Sequence, residues 1–234
     1  MADGVSDRRT SELKTALKNA GACIVGVGDV WRLNLAITKE FPFGICFALR
    51  YDDGAIDALP EDDAWLAMCT TLAAKSKAVY QTAEDLIVSW RFRHRRIASG
   101  LPPEALPDLR EELPQKTLAT LAGLGWIGKS ALLVSPDYGP RIRLGGLLTN
   151  TPLVPNAPTT ESRCGGCNAC VDACPVGAIT GADWSPSVPR TTLLDLAVCY
   201  AHLSRTRAST RRLQTCGLCL KSCPAGMTER TRSG

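Results

Sequence analysis

Eleven cysteines stand in this chain of 234 residues, and their placement is uneven. Eight fall after residue 163: Cys164, Cys167, Cys170, Cys174, Cys199, Cys216, Cys219 and Cys223. An odd total argues against a closed set of disulfides. The N-terminus, Met1-Ala-Asp-Gly-Val-Ser-Asp-Arg-Arg9, has no apolar stretch of the kind that directs secretion. The expectation is a cytoplasmic protein whose thiols stay reduced and bind metal. The other three, Cys23, Cys46 and Cys69, sit among apolar residues and read as core filler.

Spacing says which metal chemistry. Cys164-Gly-Gly-Cys167-Asn-Ala-Cys170-Val-Asp-Ala-Cys174-Pro175 is C-x2-C-x2-C-x3-C-P, the bacterial ferredoxin run. Three thiolates on one tight loop reach three irons of a cubane. The fourth, beyond a helical turn and followed by proline, points to a second cluster. A second set therefore has to exist. Cys216-x2-Cys219-x3-Cys223-Pro224 repeats the end of the run, and Cys199, 17 positions upstream, replaces its missing first cysteine. Crosswise ligation assigns Cys164, Cys167, Cys170 and Cys223 to one 4Fe–4S cluster. It assigns Cys174, Cys199, Cys216 and Cys219 to the other. Two structural zinc sites would also use four cysteines each, but zinc does not need this spacing. With a cysteine on every iron, such clusters carry electrons and make no bonds themselves. Gly177 and Ala178 after one Cys-Pro, and Ala225 and Gly226 after the other, are either turn residues or N–H donors to sulfur.

Ahead of these cysteines, Gly123-Leu-Gly125-Trp-Ile-Gly128-Lys129-Ser130 has the outline of a nucleotide loop. Such loops need a strand before them and a helix after. Here a helix precedes and a strand follows, which counts against a nucleotide. Glycine allows positive φ and places no Cβ between backbone and ligand, so a large planar cofactor could lie close to this loop. A tight turn is the plainer reading. Trp126, between glycines, is expected to face whatever approaches. Lys129 reads equally as a contact for an anionic group and as a surface lysine. The two histidines, His94 and His202, are not needed as ligands. Arg91–Arg96 could grip phosphate, but a basic helix C-terminus is the simpler account.

The elements that must position these residues follow from periodicity. A helix is expected over Ser6–Ala20 and strands over Ala22–Val27 and Gly44–Arg50. A long helical region runs from Pro60 to about Ile97, with a break near Ser76. Residues 100–114, with four prolines, form a loop. A short helix over Gln115–Ala122 and strands over Ala131–Ser135 and Arg141–Thr149 complete the half. Residues 151–163 contain three prolines and no periodicity, and mark a boundary. The expectation is an α+β domain over 1–155, for cofactor and substrate, and a double 4Fe–4S, ferredoxin-like domain over 156–234.

Charge and composition agree. Hydrophobic residues make up 45% and charged ones 21%, which excludes a mainly disordered chain. No apolar run approaches the roughly 18 residues of a membrane span. The net charge of +4 is concentrated in residues 190–234, which carry eight Lys/Arg against two Asp/Glu. Two oxidised clusters with their thiolates add about −4, which this basic excess offsets.

The ordered set Leu121-Ala-Gly-Leu-Gly-Trp-Ile-Gly-Lys-Ser-Ala-Leu-Leu-Val134, Tyr138-Gly139, Leu144-Gly-Gly-Leu-Leu-Thr149, the ferredoxin run, Cys199-Tyr200 and C-x2-C-x3-C-P resembles the epoxyqueuosine reductases and their shorter relatives. The resemblance covers residues 114–224 in detail and the first half in outline. It implies a nitroreductase-like N-terminal domain that binds cobalamin beside two clusters. Reduced cobalt then removes an oxygen from a carbocycle on tRNA. It also implies that Gly125, Trp126, Ile127, Gly128 and Lys129 lie near that cofactor. A low-potential donor of the ferredoxin or flavodoxin type would feed the clusters. The family's catalytic acid has no match in register, and Asp108 is the nearest candidate. The chain stops eleven residues after Cys223, without the helical repeats that help full-length members bind tRNA. That weakens the expectation of tRNA and favours a small molecule or modified nucleoside. The alternatives are a flavin in place of the corrinoid, or an electron-transfer adaptor with no organic cofactor.

Overall fold

The computed structural model describes residues 2–60, 63–97, 113–206 and 216–227. Its contacts divide the chain into two units that interleave in sequence. One contains residues 1–50, 72–124 and 143–159, and the other residues 51–71, 125–142 and 160–234. The linear reading put one boundary between residues 155 and 156. The second unit instead also draws in two earlier segments.

The first unit is built on a four-stranded sheet, ordered β1 (Ile24–Asp29), β2 (Phe43–Arg50), β6 (Ile142–Thr149), β3 (His94–Arg96). β1 and β2 are antiparallel, with Ile24 opposite Ala48 and Asp29 opposite Phe43. Both are apolar along nearly their whole length and buried on both faces, as sheets covered on two sides are. Helix α1 (Ala2–Asn19) packs against β1, and α5 (Gln115–Leu121) against β1 and β2. Leu13 and Leu17, four apart on α1, are fully buried. α5 can approach because β1 carries Gly26 and Gly28. A Cβ on Gly26 would collide with the Ala122 carbonyl, and one on Gly28 would lie 3.1 Å from Leu121.

Helix α4 (Asp63–Ser89) runs without the expected break at Ser76, which is buried within it. Its Tyr80 stands edge-on to Phe47 at 4.9 Å, and its hydroxyl accepts the Gly146 N–H at 2.9 Å. The basic stretch after α4 is not a helix end. Arg91 takes a left-handed turn (φ 64°), and His94–Arg96 pair antiparallel with Leu147–Thr149. Edge pairing and two ion pairs override the helical reading. Arg93 meets Glu40 at 2.8 Å, and the Arg96 guanidinium forks onto Glu84. The short elements α2 (Ala36–Glu40) and α3 (Asp53–Asp57) lie outside the sequence expectation. Among the described residues, no helix is long and apolar enough to cross a membrane.

The second unit has little regular structure. It holds the two-stranded pair β4 (Trp126–Ile127) and β5 (Leu133–Val134), with α3 and the short helices α6 (Ala169–Asp172), α7 (Arg190–Leu193), α8 (Leu196–Thr206) and α9 (Leu218–Lys221).

Candidate metal centre

The two cysteine runs fold alike. In the first, the Cys167 N–H donates to the Cys164 carbonyl at 3.1 Å. Val171 and Asp172 then donate to the Asn168 carbonyl, which starts the single turn α6 carrying Cys170. In the second, Gly217 takes φ 70°, Leu220 and Lys221 donate to its carbonyl, and the single turn α9 carries Cys219. The left-handed turn needs glycine, and a side chain there would also strike Leu59. α6 and α9 pack together, so the two runs are juxtaposed.

Cys199 reaches the same region by a separate route. The Ala178 N–H donates to Cys174 Sγ at 3.3 Å, and the Ala178 carbonyl accepts the Asp195 N–H at 2.8 Å. Asp195 in turn caps α8, accepting the Val198 N–H on its carboxylate at 3.0 Å. One turn on stands Cys199. Asp195 therefore fixes the helix that carries Cys199 against Ala178, four residues after Cys174.

Burial, and after it the closeness of other thiols, raises these cysteines above their ordinary range. Burial pushes Cys223 up to about 11, and the nearby thiols of Cys164, Cys170 and Cys167 push the same way, against a backbone N–H of Ala225. Burial pushes Cys219 up to about 12, helped by Cys216, Cys170, Cys199 and Cys174. Cys170 is raised by burial and then by Cys164 and Cys167. Cys199 is raised by burial and then by Cys216 and Cys174, with Arg190 opposing. Gathered, buried thiols resist ionisation, and bound metal is what converts such a set to thiolates. Among the described residues, no three Cys, His, Asp or Glu side chains converge on a point as a single ion requires.

Behind the sulfurs lies an apolar cluster of Trp126, Ala131, Val134, Ala178, Ile179, Trp184, Leu193 and Leu194. Cys164, Cys170, Cys174, Cys199 and Cys219 pack on its rim. Trp126 was expected to be exposed, and it is 8% exposed. Its indole Nε1 is buried with no hydrogen-bond partner among the described residues, and the Arg163 guanidinium lies 5.8 Å from its ring.

The glycine loop belongs to this arrangement in a way the sequence did not suggest. β4 pairs with β5, Trp126 opposite Val134 and Ile127 opposite Leu133. A Cβ on Gly125 would strike the Val134 carbonyl. A Cβ on Gly128 would stand 2.9 Å from Val134 Cγ2 and 3.3 Å from Cys164 Sγ. The chain itself packs closely at the glycines' Cβ positions, as a tight turn requires. Lys129 is buried, and its Nζ donates to the Gly165 carbonyl at 2.9 Å and to Asn168 Oδ1 at 3.0 Å. It is neither a surface lysine nor turned toward an outside anion.

Other residues fall elsewhere. Asp108 lies outside the described residues. His94 sits on β3, 3.8 Å from Glu84, and His202 lies on α8. Arg141 was missed altogether. It is fully buried, donates to Asp53 at 3.0 Å, and reaches Asp57 and the Lys221 carbonyl at 3.5 Å. Lys221 Nζ answers on the Asp57 and Leu59 carbonyls at 2.7 and 2.9 Å. Residues 53–59 thus brace the turn between Cys219 and Cys223. The acidic pair before Gly54 was visible in the sequence, but nothing local announces a partner 80 or more positions away.

Comparison with known proteins bears on this geometry. Residues 163–226 match the 4Fe–4S double cluster binding domain. The epoxyqueuosine reductase of Listeria monocytogenes is 34% identical over 137 residues, 52% of this chain and 34% of that one. A Synechococcus epoxyqueuosine reductase is 52% identical over 68 residues, 29% of this chain and 21% of that one. Over these segments the chain is similar to epoxyqueuosine reductases. Its match spans only about a third or less of the length of these curated relatives. Among solved structures, an epoxyqueuosine reductase with a tRNA-Tyr epoxyqueuosine-modified stem loop superposes with a TM-score of 0.61 at 21% identity, covering 92% of this chain and 64% of that one. A reductive dehalogenase described in connection with B12-dependent dehalogenation superposes with a TM-score of 0.68 at 17% identity, covering 97% of this chain and 33% of that one. At these identities the two structures establish a shared mixed α/β fold.

Proposed function

We propose that the protein is an iron–sulfur reductase that passes electrons through two 4Fe–4S clusters to a corrinoid, which reduces a modified nucleoside or small molecule. The observation that carries this reading is the neighbourhood of the thiols. The α6 turn that carries Cys170 packs on the α9 turn that carries Cys219, and Cys164, Cys170, Cys174, Cys199 and Cys219 share the rim of one apolar cluster, although they come from segments far apart in sequence. Such a juxtaposition supports the crosswise sets that the spacing predicts. Cys219 is adjacent to both sets, being perturbed by Cys170 as well, which suits clusters lying close enough to exchange an electron.

The chain's own residues have defined tasks in this scheme. The two turns hold the cysteines, and the Ala178 N–H stabilises negative charge on Cys174 Sγ. The apolar cluster around Trp126 keeps water from one side of the sulfurs. Cobalamin, when bound, would supply a strongly reducing, nucleophilic metal centre. In the loop expected to meet it, Trp126 Nε1 is an orphaned donor, but Gly125, Gly128 and Lys129 are engaged within the chain. A nitroreductase-like first unit and residues 125–129 as the corrinoid's neighbours belong to the proposal. So do a ferredoxin- or flavodoxin-type donor and a cytoplasmic setting. The tRNA-bound relative is named for its modified stem loop, and the expectation against tRNA gains nothing from the comparisons.

The inward-facing glycine loop gives the second reading, an electron-transfer adaptor without an organic cofactor, its specific support. One experiment separates them. Anaerobically prepared protein should carry about eight irons from two cubanes. After incubation with cobalamin and desalting, corrinoid absorption should persist. Iron without retained corrinoid favours the adaptor. Retained flavin in its place favours a flavin reductase, and zinc with little iron ends the cluster reading.

A further inference from the structure

Among the described lysines, Lys129 alone is buried, 6% exposed. Burying an ammonium is unfavourable unless its donors are satisfied and something nearby gains from the charge. Its hydrogen-bond partners among the described residues are two neutral oxygens, the Gly165 carbonyl and Asn168 Oδ1. No carboxylate is among them, so the positive charge is left uncancelled at that point. Those oxygens belong to the residues directly following Cys164 and Cys167. The preceding residue, Gly128, approaches Cys164 Sγ so closely that a Cβ would stand 3.3 Å away. Two separate contacts therefore bring this strand end onto the cysteine loop.

We propose that Lys129 is the fixed counter-charge of the cluster held by Cys164, Cys167, Cys170 and Cys223, and that it raises the reduction potential of that cluster. The inference rests on the cluster reading above. Reduction moves one electron from the low-potential donor to the cluster, which becomes one unit more negative, and no bond forms or breaks. A positive charge held nearby favours the reduced form, and net charge and surroundings are what set such potentials. The other set has a weaker counterpart. Its cation is Arg190, beside Cys199, where burial around the guanidinium opposes its charge. Each cluster then has its own cation, and removing the Lys129 charge should move the potential of one cluster only. Lys129 acts through the cluster and is a positioning residue for charge.

The test is an EPR-monitored redox titration, with iron analysis, of anaerobic full-length wild type, Lys129→Arg, Lys129→Gln and Lys129→Met. Wild type that binds no iron defeats the cluster reading before any variant is compared. With iron present, the neutral variants should show one midpoint moved to more negative potential and the other unmoved. Lys129→Arg should titrate near wild type. Neutral variants with full iron and both midpoints unchanged would overturn the proposal. So would an equal shift of both midpoints, or a shift in Lys129→Arg as large as in Lys129→Met. Loss of iron from both neutral variants would overturn it too, because it would make Lys129 a support for the loop and not a source of its potential.

Discussion

In the sheet unit, Val27, Ile45, Phe47, Leu118 and Leu147 are fully buried on elements of seven or eight residues, or six for β1. In the cysteine unit the helices α6, α7 and α9 have four residues each, and thiols form the rim of the apolar cluster. Helices of one turn do not hold themselves together. The sheet unit's stability follows from apolar burial, whereas the cysteine unit needs its metal as a covalent tie between segments distant in sequence. What can be altered without loss therefore differs between the two.

The largest expected effect comes from stripping the iron. Anaerobic chelation should abolish hydrogen-exchange protection around α6, α8 and α9 and leave β1, β2 and β6 protected. If both units exchange together, the sheet does not stand by burial alone and the contrast fails.

The reciprocal change is Phe47→Ala. Phe47 is wholly buried and edge-on to Tyr80. Its truncation should cost about 3–5 kcal/mol in denaturant unfolding followed by a sheet-unit probe. Iron content in the protein that remains folded should be unchanged.

Gly128→Val sharpens the contrast from the other side. Had the glycine made room for an external cofactor, this variant would keep its iron. Because a Cβ would press on Val134 and Cys164 Sγ, it should lose part of its iron, with overpacking of about 1–3 kcal/mol. Retention of full iron with wild-type stability would restore the ligand-cradle reading.

These cases show what the sequence could and could not convey. The eight cysteines were legible because cubane ligation imposes local spacing, and Cys199 followed because one set lacked a member. The folded chain brings the two runs together, as crosswise ligation needs. α1, β1, β2, α5 and β6 were legible from apolar periodicity, within two residues at most ends and four at the start of α1. β3 was not, since His94–Arg96 has no apolar alternation and becomes a strand only by pairing with β6. The inward role of Lys129 and the burial of Trp126 depend on residues 35 or more positions away. The same holds for Arg141 with Asp53, where neither end carries a local mark.

The smallest effect lies in the sheet unit's surface electrostatics. The Arg96 hydrogen bond holds the Glu84 carboxyl below its usual range. A depressed carboxylate stabilises the fold above its unfolded value of about 4.3, and that gain is lost as pH falls through the lower native value. Arg96 is half exposed, so screening keeps the contribution under about 1 kcal/mol. Glu84→Gln should therefore lower stability slightly at pH 7 and converge with wild type at acid pH, once the native carboxyl is protonated. A constant offset at all pH values would assign the effect to packing.

The account's central claim is that the eight cysteines form two cubane sites with crossed membership. Anomalous diffraction at the iron edge, on crystals grown anaerobically, tests it most directly. The expected map shows two four-iron clusters. Cys223 joins Cys164, Cys167 and Cys170 on one, and Cys174 joins Cys199, Cys216 and Cys219 on the other. Cys174 bound to the same cluster as Cys164, or single metal ions in place of cubanes, would contradict it.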